Sequence, residues 1–354
     1  MLLLNPGPVT LTERVRRSLM QPDLCHRESE FFDLQDEARQ RLLEVYALDP
    51  AVWSATLITA SGTGAVESMI ASLVPEEGRL LVVDNGVYGD RITQMCVQYG
   101  IAHERISGDW MQAPDWDAVA ARLDRGAFSH AALVHHETTT GRLNDLSALG
   151  DLCRARGIGL LSDCVSSFGA EEIDFANTSL EAVAGTSNKC LHGVPGVSFV
   201  IARRTALARA ARRTYYLDLG RLARLQDERG TPFTPAVQAC YGLVEALREF
   251  ADEGGRSARH GRYAALAERV RSGLAESGIA GAIPARESSV VLRAYRLPPL
   301  VTYTMLHDAL KAEGFVIYAG QSHLTATLFR ISTMGDVSSG DIDRLLQCVA
   351  RLAE

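Results

Sequence analysis

Between residues 59 and 202 the chain alternates short β-rich runs with amphipathic stretches. β-strands are predicted at 79–84, 102–106, 130–135, 158–163, 181–185 and 197–202, and several of these runs are apolar throughout. A strand with one wet face alternates apolar and polar residues. A strand apolar on both sides is covered above and below, as in a mostly parallel sheet flanked by helices. Between the strands, 64–73, 89–98, 116–123 and 146–156 repeat apolar residues at helical spacing. The pattern predicts an α/β sandwich.

After Pro235 the texture changes. Helical patterns at 236–252 and 257–277 lead to a strand at 289–295, a helix at 303–313, strands at 315–318 and 328–332, and a last helix at 339–353. This predicts a smaller α+β unit. A chain of 354 residues exceeds one ordinary core, so two domains are expected, 1–245 and 246–354, with residues 1–15 touching the second.

Composition narrows the function classes. A hydrophobic content of 47% with 22% charged residues is that of a soluble globular protein. The net charge of −7 argues against nucleic acid or an anionic membrane as the main partner. The seven cysteines are an odd number with no Cys-x-x-Cys pair and no clustering with histidine. That fits reduced thiols in a cytoplasm better than a disulfide framework or a zinc site. The first residues lack the cationic and apolar regions of a signal peptide, and no apolar run reaches membrane-spanning length. The expected location is the cytoplasm.

Three stretches carry chemistry. Thr59-Ala60-Ser61-Gly62-Thr63-Gly64 precedes a helical run. Small residues there admit a ligand close to the backbone, and hydroxyls beside free N–H groups suit phosphate; an ordinary helix cap has the same look. Asp163 closes the apolar run 158–163, at the sheet edge where open α/β folds bind ligands. It could hold a pyridinium nitrogen protonated, or cap the following turn. Lys189 follows the apolar run ending at Gly185, where desolvation would make its amine nucleophilic; taken alone it could equally be a solvated surface lysine. Phosphate cradle, aspartate and lysine together are what pyridoxal 5'-phosphate requires: an anchored phosphate, a protonated ring nitrogen and a Schiff-base lysine.

With these residues the chain resembles, over nearly its whole length, the class V aminotransferases of the pyridoxal-phosphate fold-type I group. Within that class it is most similar to the transaminases acting on 2-aminoethylphosphonate and pyruvate. The similarity is carried by Leu2-Leu3-Leu4-Asn5-Pro6-Gly7-Pro8, Cys25-His26-Arg27-Glu28, Glu137-Thr138-Thr139-Thr140-Gly141, Asn188-Lys189-Cys190 with Gly193-Val194-Pro195-Gly196, and Phe329-Arg330-Ile331. It implies a large three-layer α/β/α domain and a smaller α+β C-terminal domain.

The resemblance also implies roles. Lys189 would bond the cofactor aldehyde and then shuttle the proton, and Asp163 would pair with the ring nitrogen. Ser61, Gly62 and Thr63 would bind phosphate. Tyr88 and Val165 would cover the two ring faces, Thr138 would reach the phenolic oxygen, and Ser187 would join the cofactor shell. Thr234, with Thr231 as companion, would reach the phosphate of a neighbouring subunit, implying a homodimer with active sites at its interface. Arg330 would hold the acidic group of the substrate with its forked guanidinium. His26 and Arg27 would either add positive charge toward a phosphonate or cap the first helix. His135 and His136 are expected to pack and position rather than bind metal, and no metal ion is expected.

The expected reaction has an amine donor and a 2-oxo acid acceptor as partners. Related donors remain open, among them phosphonoalanine (with phosphonopyruvate as its oxo acid) and serine or alanine with glyoxylate. A lyase acting on an aminophosphonate, or a protein kept for binding or regulation, are the alternatives in other classes. Desulfuration is disfavoured, because the stretch 320–327 lacks the cysteine it needs.

Overall fold

The computed structural model describes residues 1–353. Its centre is a seven-stranded sheet of β1 (Trp53–Ile58), β2 (Arg79–Asp84), β3 (Ala102–Ser107), β4 (His130–Val134), β5 (Gly159–Asp163), β6 (Leu180–Thr186) and β7 (Ser198–Arg203). The spatial order is β1-β7-β6-β5-β4-β2-β3. β7 alone runs against its neighbours. The pairs β6–β5, β5–β4, β4–β2 and β2–β3 are parallel.

The apolar runs form the middle of this sheet because both faces are covered. Val82, Ala132, Leu161, Ala184 and Val200 point to one face and pack against Val66, Met69 and Ile70 of the helix Gly62–Leu73. Leu81, Leu133, Val183 and Phe199 point to the other, against Phe31 and Leu34 of Ser29–Glu44 and Leu243 of Val237–Asp252. Burying a side chain such as Met69 stabilises the fold by roughly 1.5–3 kcal/mol. At the edge, β3 carries His103, Glu104 and Arg105 and is largely exposed, as its composition demands.

Among the elements given no range from the sequence are β1, the helix Ser29–Glu44 and the short helix Leu219–Asp227. The expected boundary at residue 245 also needs correction. It falls inside the helix Val237–Asp252, whose Val244 and Leu247 still belong to the large core. The chain turns only at Gly254 and Gly255, with φ of 99° and 72°.

Beyond that turn, Gly255–Glu276 and Ser339–Ala353 pack on a second sheet of β8 (Leu292–Arg296), β9 (Tyr318–Ala319) and β10 (Leu328–Ser332), in the order β8-β10-β9 and antiparallel. The strand expected at 315–318 is divided. Phe315–Val316 pairs in parallel with Leu2–Leu3, and β9 begins at Tyr318. Leu4 is fully buried among Phe315, Phe329 and Ile331, and its carbonyl accepts a 2.8 Å bond from the Ser332 amide.

Candidate active site

The carboxyl ends of the parallel strands open onto a cleft of about 270 Å³ lined by Ser61, Gly62, Thr63, Tyr88, Asp163, Val165 and Lys189, among others. Each arrives there for a local reason. β1 ends and the chain turns into the helix Gly62–Leu73, with Ser61 as its N-cap residue. The Ser61 hydroxyl makes no capping bond, so it and the first amides face outward. A methyl at Gly62 would lie 2.7 Å from Cγ1 of Val165, so only glycine lets Val165 approach.

Asp163 closes β5, and its Oδ1 accepts a 2.9 Å bond from the Val165 amide. The turn-capping role and the cleft-facing role therefore coincide. Burial pushes the carboxyl up to about 6, against the pull of that amide and of the Arg91 and Lys189 cations.

Lys189 follows β6, and its amine donates to the Pro6 carbonyl. Burial lowers the amine to about 8, helped by the Arg330 and Arg91 charges and opposed by Cys190 and Asp163. The N-terminal segment lies directly over this side chain. At Gly7, with φ of 114°, a methyl would sit 2.7 Å from the lysine Cδ. Because the free amine fraction grows as pH rises toward 8, the rate at which Lys189 adds to an added aromatic aldehyde should climb about tenfold per pH unit below pH 8 and then level. Stopped-flow absorbance against pH measures this, and a rate that kept rising through pH 10 would contradict it.

A second group of residues surrounds the cleft. Glu137, fully buried, accepts from the Tyr88 amide at 3.1 Å and the Thr139 amide at 3.0 Å, fixing the turn that carries Tyr88. Burial raises its carboxyl to about 7. Arg330, in β10, is buried and gives Nε to the Ala319 carbonyl at 2.8 Å. Its Nη1 bonds the Thr138 carbonyl at 3.1 Å and Gln321 Oε1 at 2.9 Å. Its Nη2 takes part in none of these bonds.

The structure brings most, not all, of the expected residues together. Ser187 needs correction: its hydroxyl is buried and committed to the Val194 carbonyl, so it holds the loop after β6 rather than facing the cleft. His26 and Arg27 lie in the loop before Ser29–Glu44 and do not line the cleft within the protomer. Thr231 and Thr234 line a separate pocket with Thr59 and Phe233. Thr231 donates to the Phe233 carbonyl at 2.9 Å, whereas Thr234 is exposed. Burial lowers His135 to about 3 and His136 to about 4, so both are neutral; their Nδ1 atoms lie 3.1 Å from Ser167 Oγ and 3.2 Å from the Ser166 carbonyl. Among the described residues no group of three or more His, Cys, Asp or Glu could hold a metal ion.

Sequence reasoning missed Arg91, and it quoted Pro6, Glu137 and Asn188 as motif residues without giving them a role. For Arg91 a signal existed: a cation one helical turn after Tyr88 shares its face.

A lysine and an aspartate thus meet at the carboxyl edge of this sheet, beside the start of the helix Gly62–Leu73. The chain belongs to the class-V aminotransferase family, whose profile matches residues 16–345. A 2-aminoethylphosphonate–pyruvate transaminase from Aeromonas hydrophila is 36% identical to it, over 99% of this chain and 94% of the relative. In structure the chain is similar to an alanine–glyoxylate aminotransferase from Nostoc sp. (TM-score 0.92, 26% identity, 100% and 95% of the two chains). It is equally similar to an aspartate aminotransferase of subgroup IV from Thermus thermophilus (TM-score 0.91, 27% identity, 100% and 99%).

Proposed function

We propose that this transaminase moves the amino group of 2-aminoethylphosphonate to pyruvate, giving phosphonoacetaldehyde and L-alanine, with pyridoxal 5'-phosphate as cofactor. The observation that carries the cofactor is the convergence of Lys189, Asp163 and the Ser61–Gly62–Thr63 turn in one cleft. Two further features fit the same group. The Thr138 hydroxyl is buried with no partner, as a group awaiting an oxygen would be. The glycine at 62 leaves room that a methyl would fill. The relative from Aeromonas hydrophila supports the choice of donor and acceptor.

When bound, pyridoxal 5'-phosphate supplies an aldehyde carbon for amine exchange and a ring that takes up the electron pair of the broken C–H bond. The remaining work falls to the chain. Lys189 would hold the cofactor, and its free amine would serve as the base that moves the substrate proton. Asp163 holds a proton on the ring nitrogen by opposite charge in a buried site. Tyr88 and Val165 confine the ring, and Thr138 donates to its phenolic oxygen. Arg330 turns its Nη2 to the acidic end of the substrate, orienting the C–H bond for Lys189.

Arg330→Lys keeps the charge and loses the fork. We expect kcat/KM for 2-aminoethylphosphonate to fall by about 10- to 100-fold, mostly in KM, with cofactor retention unchanged. Steady-state kinetics over both substrates tests it, and an unaltered KM would remove Arg330 from substrate binding.

We further propose a homodimer in which the exposed Thr234 reaches the partner's cleft. Six of the seven cysteines are buried free thiols, which supports a cytoplasmic location. The donor is tested with a panel of 2-aminoethylphosphonate, phosphonoalanine, serine and aspartate against pyruvate, scored by alanine formed. Alanine appearing faster from another donor would overturn the proposed substrate, while release of aldehyde and ammonia without an oxo acid would favour a lyase.

A further inference from the structure

The helix Val87–Gln98 carries Tyr88 in its first turn and Arg91 one turn later, both on the cleft. The guanidinium carbon of Arg91 lies 4.7 Å from the centre of the Tyr88 ring. Its Nη1 donates a 3.0 Å hydrogen bond to the hydroxyl of Thr63, the second residue of the helix Gly62–Leu73. Among the described residues no carboxylate forms an ion pair with it. A half-buried arginine with no acid in ion-pair contact, beside a helix start with free amides, adds positive charge to the cleft.

The bond from Arg91 has a second consequence. A threonine hydroxyl has one hydrogen and two acceptor sites. With its oxygen occupied by Arg91, the Thr63 hydrogen is free to point at a further acceptor, and no bond among the described residues uses it. Arginine, hydroxyl and helix amides thus form one donor array on the cleft wall. Arg330 is anchored to the Thr138 and Ala319 carbonyls and serves a different part of the site.

We infer that Arg91 is the positioning residue of the phosphate end: it sets the Thr63 hydroxyl as a donor and supplies the charge that makes the cleft selective for a phosphorylated aldehyde. This rests on the proposed cofactor and adds a residue that the sequence motif for phosphate does not include. The tilt of Tyr88 is held by the same contact, since planar guanidinium groups favour aromatic faces.

The test compares two ligands that differ only at the phosphate. Cofactor-stripped wild type, Arg91→Gln, Arg91→Lys and Thr63→Val are titrated with pyridoxal 5'-phosphate and with pyridoxal, and Kd is read from absorbance. Arg91→Gln should weaken pyridoxal 5'-phosphate by about 10- to 100-fold and pyridoxal by less than about threefold. Arg91→Lys should fall between, and the double variant with Thr63→Val should lose less than the two single losses combined. Equal weakening for both aldehydes would mean a merely structural role, and no weakening would mean none; either overturns the inference while leaving the proposed function standing. Wild-type protein that took up neither aldehyde would instead remove the proposed function, and this inference with it.

Discussion

Replacing Lys189 by alanine should abolish covalent retention of the cofactor and lower kcat by about 10⁴-fold, the upper range for losing a positioned proton-transfer group. The geometry makes the effect specific. The Lys189 amine lines the cleft, and burial lowers it to about 8. The neighbouring histidines are bound to Ser166 and Ser167 and do not replace it. Borohydride reduction followed by peptide mass spectrometry reads the outcome. Wild type should gain the reduced cofactor on the peptide containing Lys189, and the variant nowhere. An adduct on another lysine in the variant would remove Lys189 from the centre of the mechanism.

Asp163→Asn should be the next most damaging change. The amide oxygen can keep the 2.9 Å bond from the Val165 amide, so the turn is retained and only the charge is lost. An opposite charge in a buried site moves a partner's pKa by about 1–3 units, so the protonated fraction of the ring nitrogen, and with it kcat, should fall by about 10- to 1000-fold. Linkage gives an independent check. The carboxyl is raised to about 6 by burial, above its unfolded value, so its stabilising contribution is full at pH below about 4 and is lost as pH rises through 6. The cofactor-free fold gives up roughly 3 kcal/mol over that window, and the cationic ring nitrogen offsets it. The gap in Tm between loaded and cofactor-free protein should therefore widen more from pH 4 to pH 7 in the wild type than in Asp163→Asn. Equal widening in the two proteins would place Asp163 away from the ring nitrogen.

Much of the large sheet was legible because its strands are buried on both faces, so that β2, β4, β5 and β6 read as apolar runs. β1 was not, because Ser54 and Thr56 interrupt it. The buried Ser54 hydroxyl has a partner on another element: Arg39 donates to it at 3.2 Å and to the Ala55 carbonyl at 2.8 Å. The helix Ser29–Glu44 was readable in principle, since Phe31, Leu34, Ala38 and Leu42 recur at helical spacing. Of the site, the lysine, aspartate and phosphate turn stand in local motifs at strand ends. Ser187 stands in the same motif, but its orientation depends on the Val194 carbonyl seven residues on, which spacing does not reveal. Pro6 enters through long-range chain reversal, which no local pattern encodes. Thr234 has no role that a single chain can display.

The short strand Leu2–Leu3 links the C-terminal sheet to the segment lying over Lys189. Leu2–Leu3 is paired to Phe315–Val316, and the Leu4 carbonyl is bonded to the Ser332 amide at the end of β10, two residues after Arg330. The carbonyl that restrains the Lys189 amine follows two residues later, at Pro6. The sheet that carries Arg330 and the segment that lies over Lys189 are therefore joined by backbone hydrogen bonds through one short strand.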